Sequence, residues 1–125
     1  MLCNVTIKGA EDAEEVYSEG ELTYVNNGFD LNYFIAGDRC ALSVRGATVT
    51  QSRRGSINTD ITFAKGKNTI CMLISGELTG GIPVKTTALD VVKAEDGVSV
   101  TMIYFLGGAK IFLSLTALHN LQETV

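Results

Sequence analysis

The feature that most limits what this chain can fold into is its punctuation. Apolar and polar residues alternate in short runs, and a turn signal interrupts the alternation about every ten residues. Phe29, Leu31, Tyr33 and Ile35 alternate with Asp30 and Asn32, and Ile57, Ile61 and Phe63 alternate with Asn58, Asp60 and Thr62. Val98, Val100, Met102, Tyr104 and Leu106 form one apolar series, and Ile111, Leu113, Leu115 and Ala117 form another. Successive side chains of an extended strand point to opposite faces, so a period of two marks strands that bury one face. The interruptions are Asn26-Asn27-Gly28, Gly37-Asp38, Arg54-Gly55, Lys65-Gly66, Gly80-Gly81, Glu95-Asp96-Gly97 and Gly107-Gly108. Asn-Gly and Gly-Gly supply the positive φ that tight hairpin turns demand. Many short strands at this spacing predict a sandwich or a barrel.

Helical periodicity is almost absent. Its best stretch is Glu11 to Glu19, where Ala13, Val16 and Tyr17 could share a face, and it reads as an acidic loop leading into a strand. Two strands are apolar on both sides: Ile103 and Phe105 oppose the main face of residues 98–106, and Phe112 and Leu118 do so in residues 110–118. Such a sheet needs cover on both faces, with a barrel interior on one and a partner subunit or a terminal segment on the other. Gly46, beside Arg45, reads as a bulge or barrel corner. The expectation is all-β: a single antiparallel up-and-down barrel of eight or more strands, one domain over residues 1–125, with little or no helix. Closure removes exposed strand edges. With 125 residues a chain can bury roughly two-thirds of its unfolded surface, enough for one core without staples.

Charge is unevenly spread around a net −4. Six acids and no base lie between Glu11 and Glu21, whereas six bases and one acid, Asp60, lie between Arg39 and Lys67. The pattern suits two solvated faces that attract each other, or a basic face that receives an anion. The cysteines Cys3, Cys40 and Cys71 show no CxxC pairing and share faces with apolar residues, so buried thiols are expected rather than a metal knuckle or a disulfide framework. No run approaches the roughly 20 apolar residues of a spanning helix, and the chain turns polar directly after Met1-Leu2-Cys3. A cytoplasmic protein that does not enter a membrane is the expectation.

Several pieces recur in a recognisable order. They are Arg53-x-Gly55, Phe63-x-x-Gly66, Gly76-Glu77-Leu78 leading into Val84-Lys85-Thr86, and Gly97 followed by a strand containing Tyr104. In order and spacing the chain resembles the DUF1934 or YwiB-like family of uncharacterised bacterial proteins, from about Val5 to Ala117 and most closely from Ala41 to Leu89. The resemblance implies a lipocalin-like, calycin-type β-barrel. It implies no activity. The hairpin between Gly76 and Thr86, with Gly80-Gly81 and Pro83 inside it, is longer than the family pattern, and the Gly107-Gly108 turn is shorter. Both departures fall at barrel rims.

No catalytic constellation is visible, so an enzyme is not expected. The single histidine, His119, reads as an exposed residue of a polar tail, which leaves Ser and Cys without a base. One His and scattered Cys do not assemble a metal site, the glycines join strands instead of opening a helix, and no cofactor is expected. Nucleic acid is disfavoured because Phe63 is the one aromatic between Arg39 and Lys67, where stacking platforms would be needed. Asp60, if its strand face turns inward, would pair with Arg45 or Arg53. Arg45, Arg53 and Arg54 are the best ligand-binding candidates, because guanidinium forks suit carboxylate or phosphate. Arg53 and Arg54 adjoin Gly55, which puts at least one of them at a rim. The first functional reading is a non-enzymatic barrel that binds a small apolar or anionic amphipathic ligand, with Tyr33, Tyr104, Phe29 and Met102 lining the interior and Arg at the mouth. The second is a solid barrel whose outer apolar face (Ile103, Phe105, Phe112) pairs subunits as a homodimer or docks a partner.

Overall fold

The structure, a computed structural model, describes residues 1–9 and 14–120. Ten strands follow in order: β1 (Leu2–Lys8), β2 (Val16–Val25), β3 (Gly28–Ile35), β4 (Asp38–Arg45), β5 (Thr48–Arg54), β6 (Asn58–Ala64), β7 (Asn68–Ser75), β8 (Leu78–Ala94), β9 (Gly97–Leu106) and β10 (Ala109–His119). Each pairs antiparallel with its sequence neighbours, and β10 returns to β1 to close the barrel. The expected up-and-down barrel is therefore present, with ten strands and, among the described residues, no helix.

Some punctuation plays a different part from the one expected. Gly46 is no bulge: it lies in the two-residue turn between β4 and β5 at φ 59, a conformation that suits glycine. Gly80-Gly81 is no turn either. The β7–β8 turn is Gly76-Glu77, with Gly76 at φ 60, and both later glycines lie inside β8. The bulge sits in β8, between Thr86 and Ala88. There β8, having run beside β7 as far as Lys85, continues beside β9 alone. The β6–β7 turn is tied to this point by Gly66 N–H donating to Thr86 O at 2.8 Å. His119 is not a tail residue. It ends β10 opposite Cys3, and its Nε2 lies 2.7 Å from the Tyr24 hydroxyl. Of the acidic stretch, residues 11–13 lie outside the described residues, and the strand has begun by Val16, which pairs with Ile7.

Alternation decides what faces inward, and register stacks those residues in lines across the strands. Burial along the lines is graded from one end of the barrel to the other. On β5 it deepens from half-buried Arg53 and Gln51 to fully buried Val49; on β6 from Thr59 and Ile61 to Phe63; on β9 from Leu106 through Tyr104 to Met102. β10 follows the same gradient from Ile111 and Leu113 to Leu115 and Ala117. Phe29, Leu31, Leu42, Val49, Phe63 and Met102 therefore make a solid core, and Phe63 packs on Tyr104 with ring centroids 4.7 Å apart. Burying each such large side chain contributes about 1.5–3 kcal/mol. The barrel is filled at one end and partly open at the other, where the β3–β4, β5–β6, β7–β8 and β9–β10 turns lie. All three cysteines are buried and free.

The outer face carries two apolar series of different exposure. Ile103, Phe105 and Phe112 are half-buried, whereas Ile70 at 58%, Met72 at 42% and Ile74 at 42% exposure form an open apolar row along β7. The strand pattern of β7 runs Thr69, Cys71, Leu73 inward, so these three large residues must point out.

Candidate functional site

The open end carries the polar groups. One line of directly opposed inward positions runs Tyr33, Cys40, Arg53, Thr59, Leu73 and Gly80 across β3 to β8. The line beneath it runs Leu31, Leu42, Gln51, Ile61, Cys71 and Ile82. Asp38, opposite Ile35, begins β4 at the rim above Cys40. Arg53 shares its face with Val49 and Gln51, so it turns inward at the end of β5 and meets Asp38, with Nε donating to Oδ2 at 2.7 Å. Gly55 makes room for that carboxylate: a Cβ there would lie 2.2 Å from Asp38 Oδ1. The Arg53-x-Gly55 pattern thus has a mechanical basis, since the glycine clears the seat of the acid that holds the arginine.

Around this pair lies a cavity of about 390 Å³ lined by Asp38, Arg53, Ser56, Ile57, Thr59 and Leu73. Among the described residues the Arg53 guanidinium is hydrogen-bonded through Nε alone, which leaves both terminal amino groups available at the cavity. Deeper in the wall, Gln51 Nε2 donates to the Tyr33 hydroxyl at 3.3 Å. Tyr33 is 1% exposed, and burial, reinforced by the Cys40 thiol beside it, pushes its phenol up to about 12. The Cys40 thiol is likewise raised by burial, against the opposing pull of Arg53. At the pH of a cell both are neutral, so the buried wall beneath Arg53 carries no charge. Gly80, at the end of the line beside Leu73, leaves open space: a Cβ there meets nothing within 4 Å.

The other candidates separate. Asp60 points outward between inward Thr59 and Ile61, and it pairs with Arg54, whose Nη2 lies 2.9 and 3.1 Å from its two oxygens. The inward face on which a pairing of Asp60 with Arg45 or Arg53 depended is not found: β6 turns that face to solvent, where, among the described residues, the outward neighbour Arg54 reaches it. Arg45 lies at the opposite end of the barrel, donating to Asp30 Oδ2 at 3.0 Å and to the Val44 carbonyl at 2.8 Å. The Arg45 guanidinium holds the Asp30 carboxyl below the usual carboxylate range. Tyr104 is inside but on the far wall against Phe63, and Phe29 and Met102 belong to the solid floor instead of lining a hollow. Of the candidates, the structure brings Arg53 and Tyr33 together. Asp38, Gln51, Gly55 and Gly80 were not foreseen. The signal for Gln51 and for the choice of Arg53 over Arg54 was parity with Val49, legible only once the turn between Arg45 and Thr48 is placed. Among the described residues, no three His, Cys, Asp or Glu side chains are grouped to hold a metal ion.

Fold and rim together define a ten-stranded antiparallel meander barrel with a filled floor and an ion-paired mouth. Among solved structures the chain is similar to the crystal structure of YwiB protein from Bacillus subtilis, with a TM-score of 0.76 at 15% sequence identity, over 95% of this chain and 89% of that one. At that identity the likeness establishes the fold. No protein-family model and no curated protein matches the sequence.

Proposed function

We propose that this protein is a non-enzymatic binding barrel that takes a small ligand with an apolar body and an anionic group at its open mouth. The observation that carries the reading is Arg53, turned inward at the rim with both terminal amino groups unbonded among the described residues, over a cavity walled by Ile57 and Leu73. A guanidinium at the edge of an apolar recess is the pairing of groups that concave ligand sites use for orientation and affinity. The candidate set contracts accordingly to Arg53 and Tyr33, joined by Asp38, Gln51 and Thr59. We further propose membership of the DUF1934 or YwiB-like family, with calycin-type affinity, and a cytoplasmic setting; the barrel likeness over 95% of the chain supports the family reading.

A second reading rests on β7. The exposed row Ile70, Met72 and Ile74 suits self-association into a homodimer or docking of a partner, on a different face from the Ile103–Phe105–Phe112 stripe. Native mass spectrometry of the purified protein, repeated after denaturation, separates the two. A native mass excess that denaturation releases as a small molecule is the expected result. A dimer with nothing bound that dissociates when Met72 is changed to Lys would replace the first reading with the second.

A further inference from the structure

Resting on the mouth-binding reading, we infer that the ligand is a short monocarboxylate, held end-on by the two terminal amino groups of Arg53 with its apolar body against Leu73 and the gap left by Gly80.

Three features of the mouth select that class. The first is the geometry of the fork. A guanidinium offers two faces to a planar pair of oxygens, and Asp38 engages the Nε atom at 2.7 Å. The end-on face, Nη1 with Nη2, has no partner among the described residues, and two parallel N–H groups at that spacing match the two oxygens of a carboxylate. Asp38 therefore acts as a positioning residue: it fixes the rotation of the guanidinium, and Gly55 clears the space in which it does so.

The second feature is charge. Among the described residues, Arg53 and Asp38 are the charged side chains that line the cavity, and they cancel. A single negative charge can be met by the fork, but a second would face Asp38 without a further cation. Arg54, the next base along the chain, points to the outside and is committed to Asp60. The neutral Thr59 and Ser56 that also line it add no charge. A phosphate dianion is thus a poor match, although arginine alone would accept one.

The third feature is depth. The cavity of about 390 Å³ holds about a dozen non-hydrogen atoms at the ~30 Å³ that one water occupies in the liquid. Below the Gln51–Ile61 line the interior is closed, because Val49 and Phe63 are fully buried. A long acyl chain would find no interior space below that line. Half-buried Ile61 and Ile82 lie on the next line down, and Gly80, directly opposite Leu73, leaves open space on the β8 side.

The test is an amide-detected NMR titration of the whole protein with sodium octanoate, octyl phosphate and palmitate, on wild type and on Arg53→Gln and Gly80→Val. Valine fits β8 because a Cβ at position 80 meets nothing within 4 Å, and each variant is first checked for an unchanged fold by its spectrum. Octanoate is expected to shift the amides of Arg53, Thr59 and Leu73 saturably. It should bind at least about tenfold more weakly to either variant, and octyl phosphate at least about tenfold more weakly to wild type. If palmitate or octyl phosphate binds the mouth more tightly than octanoate and does so through Arg53, the monocarboxylate inference is overturned while the mouth site stands. Unchanged octanoate affinity in Arg53→Gln overturns the inference as well, since the fork would then have no part in recognition. If none of the three moves the mouth amides of wild type, the inference falls together with the mouth reading.

Discussion

Three glycines of this barrel give a controlled series in which one methyl group is added and only its surroundings differ. At Gly28, the first residue of β3, an added Cβ would lie 1.7 Å from the Val44 carbonyl oxygen and 2.6 Å from its carbon. Those are backbone atoms of the paired strand, so β3 and β4 must separate. A forced backbone shift in a packed sheet costs on the order of 3 kcal/mol. At Gly55 the methyl would meet Asp38 Oδ1 at 2.2 Å, but this is the end of a partly exposed side chain that can swing away. The loss is the Asp38–Arg53 ion pair, worth about 1 kcal/mol or less at such exposure. Part of it is offset by the ~0.4–1 kcal/mol that alanine gains over glycine through the unfolded state. At Gly80 nothing lies within 4 Å, so only that gain remains. For a chain of 125 residues, an unfolding entropy of ~2.1 cal/mol/K per residue converts each kcal/mol to about 4 °C in Tm. With the same gain counted at each site, thermal melts followed by circular dichroism should show Gly28→Ala down by roughly 8–10 °C, Gly55→Ala between no change and about 2 °C down, and Gly80→Ala up by about 2–4 °C. Equal shifts in all three, or Gly28→Ala within about 4 °C of wild type, would refute the close β3–β4 approach on which the ranking rests.

Two further substitutions probe the interior. Thr86 is fully buried beside Tyr104 and its Oγ1 has no hydrogen-bond partner among the described residues, so Thr86→Val keeps the shape, removes an unmet hydroxyl and should stabilise by about 1–3 kcal/mol; urea denaturation with a lower midpoint than wild type would contradict this. Tyr33 must stay protonated to remain buried: the unfolded phenol ionises near 10 and the folded one at about 12. Its contribution to stability is complete below pH 10 and is lost as pH rises from 10 to 12, amounting to roughly 2–3 kcal/mol over that window. Tyr33→Phe should accordingly flatten the alkaline fall in Tm relative to wild type, and an unchanged alkaline slope would show that Tyr33 is not held in the neutral wall described here.

The route from sequence to fold ran through alternation and stopped where alternation is silent. Period two put Val98, Val100, Met102 and Leu115 on the buried side, where the structure has them, because a strand's geometry converts sequence parity directly into facing. Parity also carried Arg53 inward and Arg54 outward, but only relative to a turn whose position had to be known. Reading Gly46 as a bulge or barrel corner, with no turn placed between Arg45 and Thr48, left both arginines eligible. Gly80-Gly81 misled for a related reason: glycine marks equally a turn, a close approach or an empty place in a wall, and the neighbours across the sheet choose among them.

By itself the sequence determined the all-β class of fold and most of the core, because these follow from local periodicity and from turns that act within a few residues; closure rests on β1 pairing with β10, from opposite ends of the chain. The sequence also placed arginines near a rim. Tertiary structure alone decided that Asp38 grips Arg53 from its Nε side, that Gly55 clears the space for it, and that Asp60 answers to Arg54 outside the barrel. It decided as well that the barrel is solid at one end and open at the other. Those outcomes depend on register between strands distant in sequence and on side-chain volumes summed around a ring. No stretch of sequence carries either quantity until the ring has closed.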